Sequence, residues 1–276
     1  MIERPWKKWL GTGALMLVVL VVIVPVTWMA LTSFKSNQEI GQQGTLLPAT
    51  WTTDNYHRLF AERYFGSYLR NTLLISAVSV LASLVIGTLA AYSLARFPLW
   101  RGLEKRLGFG ILTVRILPPI VIAVPIFLLA LQAGLINSKI GLIVVYSAFN
   151  VSFVVWMMES FFREIPVDLE EASMVDGSSR MTAFVRIVLP LAAPGLVATS
   201  IFAVIVTYNE FLLALVLTST PDAQTVPVGT STLIGRISVD VGAMAAAGVI
   251  GAVPIAIFAL IVQRHLVRGL TLGAVK

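Results

Sequence analysis

The sequence predicts an all-α membrane protein with six transmembrane helices and with both termini in the cytoplasm. Of its 276 residues, 57% are hydrophobic and only 12% are charged, whereas soluble domains average about 25% charged residues. Apolar runs of about 20 residues, the length that crosses a bilayer, occur at six places along the chain. The basic residues are also distributed unevenly between the segments that connect these runs, which is typical of membrane proteins.

The apolar runs divide the chain into spans, loops and tails. Residues 1–10 form a short basic arm before the first run. The length of that run favours a retained helix over a secretory signal peptide, which has a shorter apolar core and a small-residue cleavage site. The predicted spans are residues 11–34, 71–95, 116–138, 140–158, 187–209 and 241–263. The third span is expected to begin earlier, near Phe109.

The basic residues orient the chain, because cytoplasmic loops are enriched in lysine and arginine. With the N-terminus inside, thirteen basic residues fall on the cytoplasmic side and six on the outer side. The remaining one, Arg115, lies within the third span, where it must snorkel to the cytoplasmic side or find a partner. The net charge of +6 is therefore attributed to topology and not to nucleic-acid binding.

The longest polar interruption in the second half of the chain is residues 164–195, EIPVDLEEASMVDGSSRMTAFVRIVLPLAAPG. Pro166 and the acidic residues after it predict the first turn of a short helix. Gly177 predicts its end, and Ser178 or Ser179 is expected to cap the next helix. Such an element between two spans is well placed to be moved by another protein, although an ordinary cytosolic loop is the alternative.

Within this loop, EASMVDG followed by FVRIVLPLAAPG resembles the EAA loop of permease subunits of binding-protein-dependent ABC importers. The family pattern is Glu-Ala-Ala, two residues, Asp-Gly and later Leu-Pro, and Pro190 matches the last proline. The resemblance implies the type I ABC importer permease fold, with a coupling loop over residues 164–186 that contacts separate ATPase subunits. The coupling residues it implies are Glu171, Ala172, Ser173 (in place of the second alanine), Asp176 and Gly177.

Further segments extend the resemblance to nearly the whole chain. PATWTTDNYHRLF, RNTLLISAVSVLASLVIGTLAAYSLARF and the tail RHLVRGLTLGAVK are similar to MalG-type permeases of carbohydrate importers. The chain also resembles the permease pair of actinobacterial trehalose importers, and within that pair it is more similar to the SugB type. The resemblance divides the chain after the first span into an extracytoplasmic loop, residues 35–70, a permease core, 71–263, and a cytoplasmic tail, 264–276.

Polar residues interrupt the fifth span at TYNEFLLALVL. Intramembrane polar and acidic residues usually face a cavity or another helix. A helix–helix hydrogen bond that only holds the bundle together is the alternative to a role in transport. The predicted substrate-pathway residues are Asn150, Tyr208, Asn209 and Glu210. The third span contains three prolines, Pro118, Pro119 and Pro125. Prolines at membrane depth leave carbonyls unpaired, which favours a cavity, a packed interface or a structural kink there.

The last outer loop, residues 218–240, is rich in Thr, Ser, Gly and Pro. In MalG-type relatives the loop at this place reaches into the sugar cleft of the binding protein. A plain linker is the alternative. The binding-protein contacts that the resemblance implies are Ser219, Gln224, Thr225, Gly229 and Thr230.

The sequence predicts a transport subunit and not an enzyme. It has no G-x-x-x-x-G-K-[ST] phosphate loop, no cysteine and only two distant histidines, so no cofactor or metal is expected on this chain. ATP and Mg would bind the partner ATPase. The expected partners are a second permease subunit, an ATPase pair, an extracytoplasmic sugar-binding protein and the lipid of the cytoplasmic (inner) membrane. The alternative is an ion-coupled secondary transporter that uses Glu210.

Overall fold

A computed structural model describes residues 5–41, 45–97, 103–235 and 239–273. Side chains are not described for residues 5–10, 103–105, 112, 114–116 and 264–273, so the expectations for the side chains of Arg115 and of the tail lie outside what the structure describes. The chain forms two compact units, one of residues 1–66 and 229–254 and the other of 67–228 and 255–276.

The described residues are almost entirely helical, with one isolated bridge between Ile234 and Val239. The helices are α1 (Pro5–Ser33), α2 (Asn37–Gly41), α3 (Asp54–Ala61), α4 (Phe65–Arg96), α5 (Leu103–Ile116), α6 (Pro119–Gln132), α7 (Lys139–Glu164), α8 (Asp168–Val175), α9 (Arg180–Ala183), α10 (Leu189–Leu191), α11 (Ala193–Tyr208), α12 (Leu212–Leu217), α13 (Val226–Ser231) and α14 (Val241–Gly273). A π-helical turn, Phe184–Val188, joins α9 to α10.

Four helices, α1, α4, α7 and α14, are long and apolar enough to cross a membrane. A fifth span results if the bent pair Arg180–Leu191 and Ala193–Tyr208 counts as one. The helical membrane fold is therefore confirmed. Of the six predicted spans, only four or five correspond to helices of sufficient length in the described part of the chain.

The predicted third span is wrong as a single continuous helix. Helix α5 ends at Ile116 and α6 begins at Pro119. A proline lacks the backbone N–H and disfavours helical geometry at the residue before it, so Pro118 and Pro119 together interrupt the helix. Because α6 has only 14 residues, it is shorter than a standard span.

The predicted outer loop, residues 35–70, contains two short helices and the start of α4, which begins at Phe65 and not at Asn71. In this unit the buried Asn55 donates Nδ2 hydrogen bonds to the carbonyls of Ser33 (2.9 Å) and Lys35 (2.8 Å). Glu39 Oε1 accepts the backbone N–H of Ala49 at 2.8 Å, and this hydrogen bond lowers the pKa of the Glu39 carboxyl. Polar contacts therefore order much of this loop.

The core of the second unit consists of two clusters. One packs α4, α6, α7 and α12 together around Ile75, Leu142 and Ala214, which are fully buried. The other packs the ends of α4 and α7 against the π-helical turn, through residues such as Phe162. Helices α4 and α7 approach closely at Gly87, where an added Cβ would lie 2.7 Å from Val154 Cβ. Small residues of this kind let helices pack tightly in a membrane.

The polar loop forms the predicted two short helices with a break between them. Helix α8 starts at Asp168, two residues after the predicted Pro166. Gly177 ends it with φ +88°, a left-handed conformation that favours glycine. Ser179 caps α9 by accepting the backbone N–H of Thr182 at 3.2 Å. The chain then bends by 72° into α11, so the predicted fifth span is bent close to its start.

Candidate functional site

A cavity of about 240 Å³ opens in the second unit where two helices are interrupted. One interruption precedes Pro119 at the start of α6, and the other separates the end of α11 from α12. Non-helical backbone at membrane depth is tolerated where it is buried in protein or lines a water-filled cavity. Discontinuous helices also form the substrate sites of many transporters. The polar and aromatic lining comes from Tyr146, Phe149, Asn150, Thr207 and Glu210.

Glu210 lines this cavity and also holds the helix break together. Its Oε2 accepts the Tyr146 hydroxyl at 2.6 Å and the Ala214 N–H at 3.1 Å. Its Oε1 accepts the Leu213 N–H at 2.9 Å. These two N–H groups belong to the first turn of α12, which has no intrahelical acceptor for them. The carboxylate therefore caps α12 from within the break and ties it to α7.

Asn150, one helical turn after Tyr146, also lines the cavity and joins α7 to α11. Its Nδ2 donates to Thr207 Oγ1 at 2.6 Å, and the Thr207 hydroxyl donates to the Ala203 carbonyl at 2.7 Å. The other two predicted pathway residues lie outside the described lining of this cavity. Tyr208 is buried, while Asn209 is exposed and donates to the Ile205 carbonyl at 2.8 Å.

Helix α8 exposes most of the predicted coupling residues. Glu171, Ala172, Asp176 and Gly177 are exposed, and Ser173 is half-buried. Sequence reasoning missed two apolar neighbours on this helix, Leu169 and Val175, which are 44% and 87% exposed. Together with Ala172 they recur every third residue, a spacing that places them on one side of a helix. They give α8 an exposed apolar side.

Sequence reasoning also missed how α8 is attached. Glu170, predicted only to favour the helix N-terminus, is 5% exposed. It pairs with Arg96 at the end of α4, with Nε and Oε1 2.5 Å apart. Tyr92, one turn earlier on α4, donates its hydroxyl to Glu170 Oε2 at 2.5 Å. No local signal separates Glu170 from Glu171, because the difference arises from a partner that is distant in sequence.

Hydrogen bonds fix the first part of the predicted binding-protein loop. Asn137 Oδ1 accepts the backbone N–H groups of Ser219 and Thr220, both at 3.0 Å. Asn71 Nδ2 donates to the carbonyls of Pro221 (3.0 Å) and Gln224 (2.9 Å). This part is therefore not an unconstrained linker. Of the predicted contacts, Ser219 is exposed, Gln224 and Thr230 are half-buried, and Thr225 and Gly229 are buried.

Long apolar helices, a cavity at two helix breaks and a short, exposed helix between two spans are together typical of a membrane transport subunit. Residues 83–272 match the family of binding-protein-dependent transport system inner membrane components. The chain belongs to this family, and its helices are those of a membrane-spanning ABC importer permease.

Relatives and solved structures agree with this assignment. The chain is 38% identical over 265 residues to the trehalose transport system permease protein SugB of Mycobacterium tuberculosis, with 94% of each chain covered. It is 36% identical over 260 residues to the sulfoquinovosyl glycerol transport system permease protein SmoH of Agrobacterium fabrum, covering 92% of this chain and 89% of that one. The resemblance to permeases of carbohydrate importers is thus confirmed.

A chain in the crystal structure of a bacterial ABC transporter involved in the import of the acidic polysaccharide alginate superposes with a TM-score of 0.78. The two are 22% identical, and the superposition covers 96% of this chain and 98% of the other. This likeness shows the type I ABC importer permease fold.

Proposed function

We propose that this chain is one of two permease subunits of an ATP-driven importer for a disaccharide or oligosaccharide, with trehalose as the first sugar to test. It forms half of the translocation pathway in the cytoplasmic membrane. ATP and Mg bind a separate ATPase pair, whose movement is passed to the permease through α8. The observation that carries this proposal is the exposed face of α8, which projects Glu171, Ala172 and Val175 from a chain with a cavity between its spans.

The cavity has the chemistry of a carbohydrate path. The rings of Tyr146 and Phe149 offer apolar faces, and Asn150 and Glu210 offer polar groups beside them, the mixed lining that small-molecule sites use. Its volume of about 240 Å³ is below the roughly 300 Å³ at which ligand pockets begin. A second permease subunit is therefore expected to supply the other part of the sugar contacts.

Similarity to relatives supports a sugar but does not select one. The relative at 38% identity is named for trehalose, and the one at 36% is named for a sulfoquinovosyl glycerol. Both names describe glycosides. On the outer side, Ser219 and the residues after it are proposed to contact that binding protein.

The experiment that tests this function is reconstitution of the assembled importer in proteoliposomes. ATP is enclosed, and the binding protein is added outside with radiolabelled trehalose, maltose or sulfoquinovosyl glycerol. Uptake is expected only when both ATP and binding protein are present, and an uncoupler should leave it unchanged. Uptake without ATP that is driven by an imposed proton gradient and lost with the uncoupler would instead support the ion-coupled alternative at Glu210.

Replacing Glu171 by alanine is expected to weaken ATPase binding while leaving the permease folded. The side chain is exposed, so folding loses little, but an interfacial charge that loses its partner costs about 2 kcal/mol or more. That corresponds to a roughly 30-fold loss of affinity, measurable by titrating ATPase subunits onto the permease pair. Asp168→Asn, an exposed acidic residue of the same helix, is the control. Equal affinity in Glu171→Ala and the unaltered chain would argue against a docking role.

Cysteine labelling tests the orientation, because the chain has no cysteine of its own. Glu164→Cys lies at the end of α7, and Thr232→Cys lies just after α13; both positions are exposed. A membrane-impermeant maleimide is expected to label Thr232→Cys in spheroplasts and Glu164→Cys only in inside-out vesicles. The reverse pattern would place α8 outside the cell and remove the basis for ATPase coupling.

A further inference from the structure

We propose that Glu170, Arg96 and Tyr92 are positioning residues for energy coupling, which fasten α8 to α4 so that α4 moves when the ATPase moves α8. This inference rests on the proposed function, since it takes α8 as the element that the ATPase contacts. It concerns a different face of α8 from the exposed coupling residues. It also assigns a mechanical role to α4.

The attachment is made by three side-chain hydrogen bonds within the second unit. The two oxygens of Glu170 are used separately, one by Arg96 Nε at 2.5 Å and the other by the Tyr92 hydroxyl at 2.5 Å. Arg96 also donates Nη2 to the carbonyl of Ile165 at 2.9 Å, in the turn between α7 and α8. One arginine therefore holds both the helix and the turn that leads into it.

Glu170 is the only buried residue among the eight of α8. A helix this short is unstable by itself, so its place depends on what its buried face contacts. An apolar side chain would attach it by packing that tolerates rotation and sliding. A paired carboxylate with two fixed donors instead sets one orientation, since charge-assisted hydrogen bonds are both strong and directional.

Stability alone is a weak reason for this ion pair. Both side chains are 6% exposed, and replacing a buried pair by apolar residues is often neutral or stabilising. Aromatic packing already joins α4 to the elements on either side of α8, because the Tyr92 ring lies 4.5 Å from that of Phe184 in the π-helical turn and 5.7 Å from that of Phe162 in α7. A pair that adds little to stability but fixes an orientation suits the transfer of movement.

Helix α4 is suited to carry that movement across the membrane. It has 32 residues without a proline, which makes it about 48 Å long. At its other end Asn71 holds the carbonyls of Pro221 and Gln224, and Thr72 Oγ1 accepts the N–H of Val226 at 2.8 Å. The hydrogen-bonding residues at the two ends, Asn71 and Arg96, are roughly 37 Å apart along the helix. The same helix therefore holds the α8 attachment at one end and the proposed binding-protein segment at the other.

The deciding variant is the double replacement Arg96→Met with Glu170→Met in the assembled importer. Removing both charges leaves no unpaired buried ion, so the fall in melting temperature is expected to be limited to the effect of the Tyr92 hydroxyl and the Ile165 carbonyl, which lose their hydrogen-bond partners. Stimulation of ATPase activity by the binding protein, with the best-transported sugar of the panel, is expected to fall roughly tenfold, within the range of typical coupling free energies. A stable double variant with full stimulation and full uptake overturns the proposal.

Matched variants separate positioning from folding. Tyr92→Phe keeps the ring packing and removes only the hydroxyl, so partial loss of stimulation at an unchanged melting temperature is expected. If the double variant fails to assemble, Tyr92→Phe decides, and unchanged stimulation in it overturns the proposal. The control Glu159→Gln with Arg163→Gln removes an ion pair on α7 between the exposed Arg163 and the half-buried Glu159, with a 2.7 Å contact, and should leave stimulation intact.

These results are distinguishable from failure of the proposed function. Loss of activity in Glu171→Ala together with normal coupling in the Arg96→Met, Glu170→Met double variant would remove the positioning role and leave the importer assignment standing. Uptake by the unaltered importer without ATP would remove the assignment itself.

Discussion

Replacing Glu210 by alanine is expected to lower both the melting temperature of the importer and its initial uptake rate. The carboxylate accepts the hydroxyl of Tyr146 and the N–H groups of Leu213 and Ala214. Each buried donor left without a partner costs about 1–3 kcal/mol, and no alternative acceptor is supplied by lipid. Loss of all three should therefore destabilise the chain by about 3 kcal/mol or more. A thermal-shift measurement on the purified importer and uptake in proteoliposomes check both effects.

Glu210→Gln separates capping from ion binding at the same position. Its carbonyl oxygen still accepts hydrogen bonds, so stability and ATP-driven uptake are expected to fall only part of the way. Asn209→Ala is the matched control, because that side chain is exposed and donates only to the Ile205 carbonyl among the contacts described. Complete loss of uptake in Glu210→Gln at an unchanged melting temperature would contradict the capping role and favour the ion-coupled alternative.

The polar loop, residues 164–195, is the most predictable part of the structure, because its signals are local. Gly177 with positive φ and Ser179 as a cap follow from backbone sterics and from hydrogen bonds within a few residues. The broad class follows from composition in the same way, since uncharged apolar runs of bilayer length are typical of transmembrane helices.

The cavity is only half predictable, because it depends on helix rotation and on where helices break. The sequence groups Asn150, Tyr208, Asn209 and Glu210 as one site, whereas only Asn150 and Glu210 line the described cavity. Successive residues on a helix point about 100° apart, and α11 ends at Tyr208. A run of consecutive polar residues therefore does not show which of their side chains face the same cavity.

The contact that attaches α8 to α4 could not be predicted from the sequence, because it also depends on tertiary packing. Glu170 and Glu171 are adjacent and chemically identical, yet one is buried against Arg96 and the other is exposed. In the sequence, Arg96 is one of the basic residues that set topology, a role that any basic residue near a span can fill. Only the packing of α4 beside α8 shows that this arginine has a specific partner.

Replacing Val175 by aspartate is expected to weaken ATPase binding strongly, and to reduce uptake with it, without unfolding the permease. Val175 is 87% exposed, so its replacement costs the isolated chain little. In the proposed complex it would be covered by the ATPase, where an unpaired charge on a short side chain costs about 3 kcal/mol or more, a loss of roughly 100-fold in affinity. The measurement is co-purification of the ATPase with the permease pair, followed by uptake.

The control Val175→Asn introduces a side chain that matches aspartate in size and nearly in helix propensity but carries no charge. It therefore isolates the effect of the charge from any effect on α8 itself. A smaller loss in Val175→Asn than in Val175→Asp, at equal melting temperatures, is the expected order. Full ATPase binding by Val175→Asp would show that the apolar side of α8 is not the docking surface. Coupling would then have to depend on Glu171 and the residues next to it.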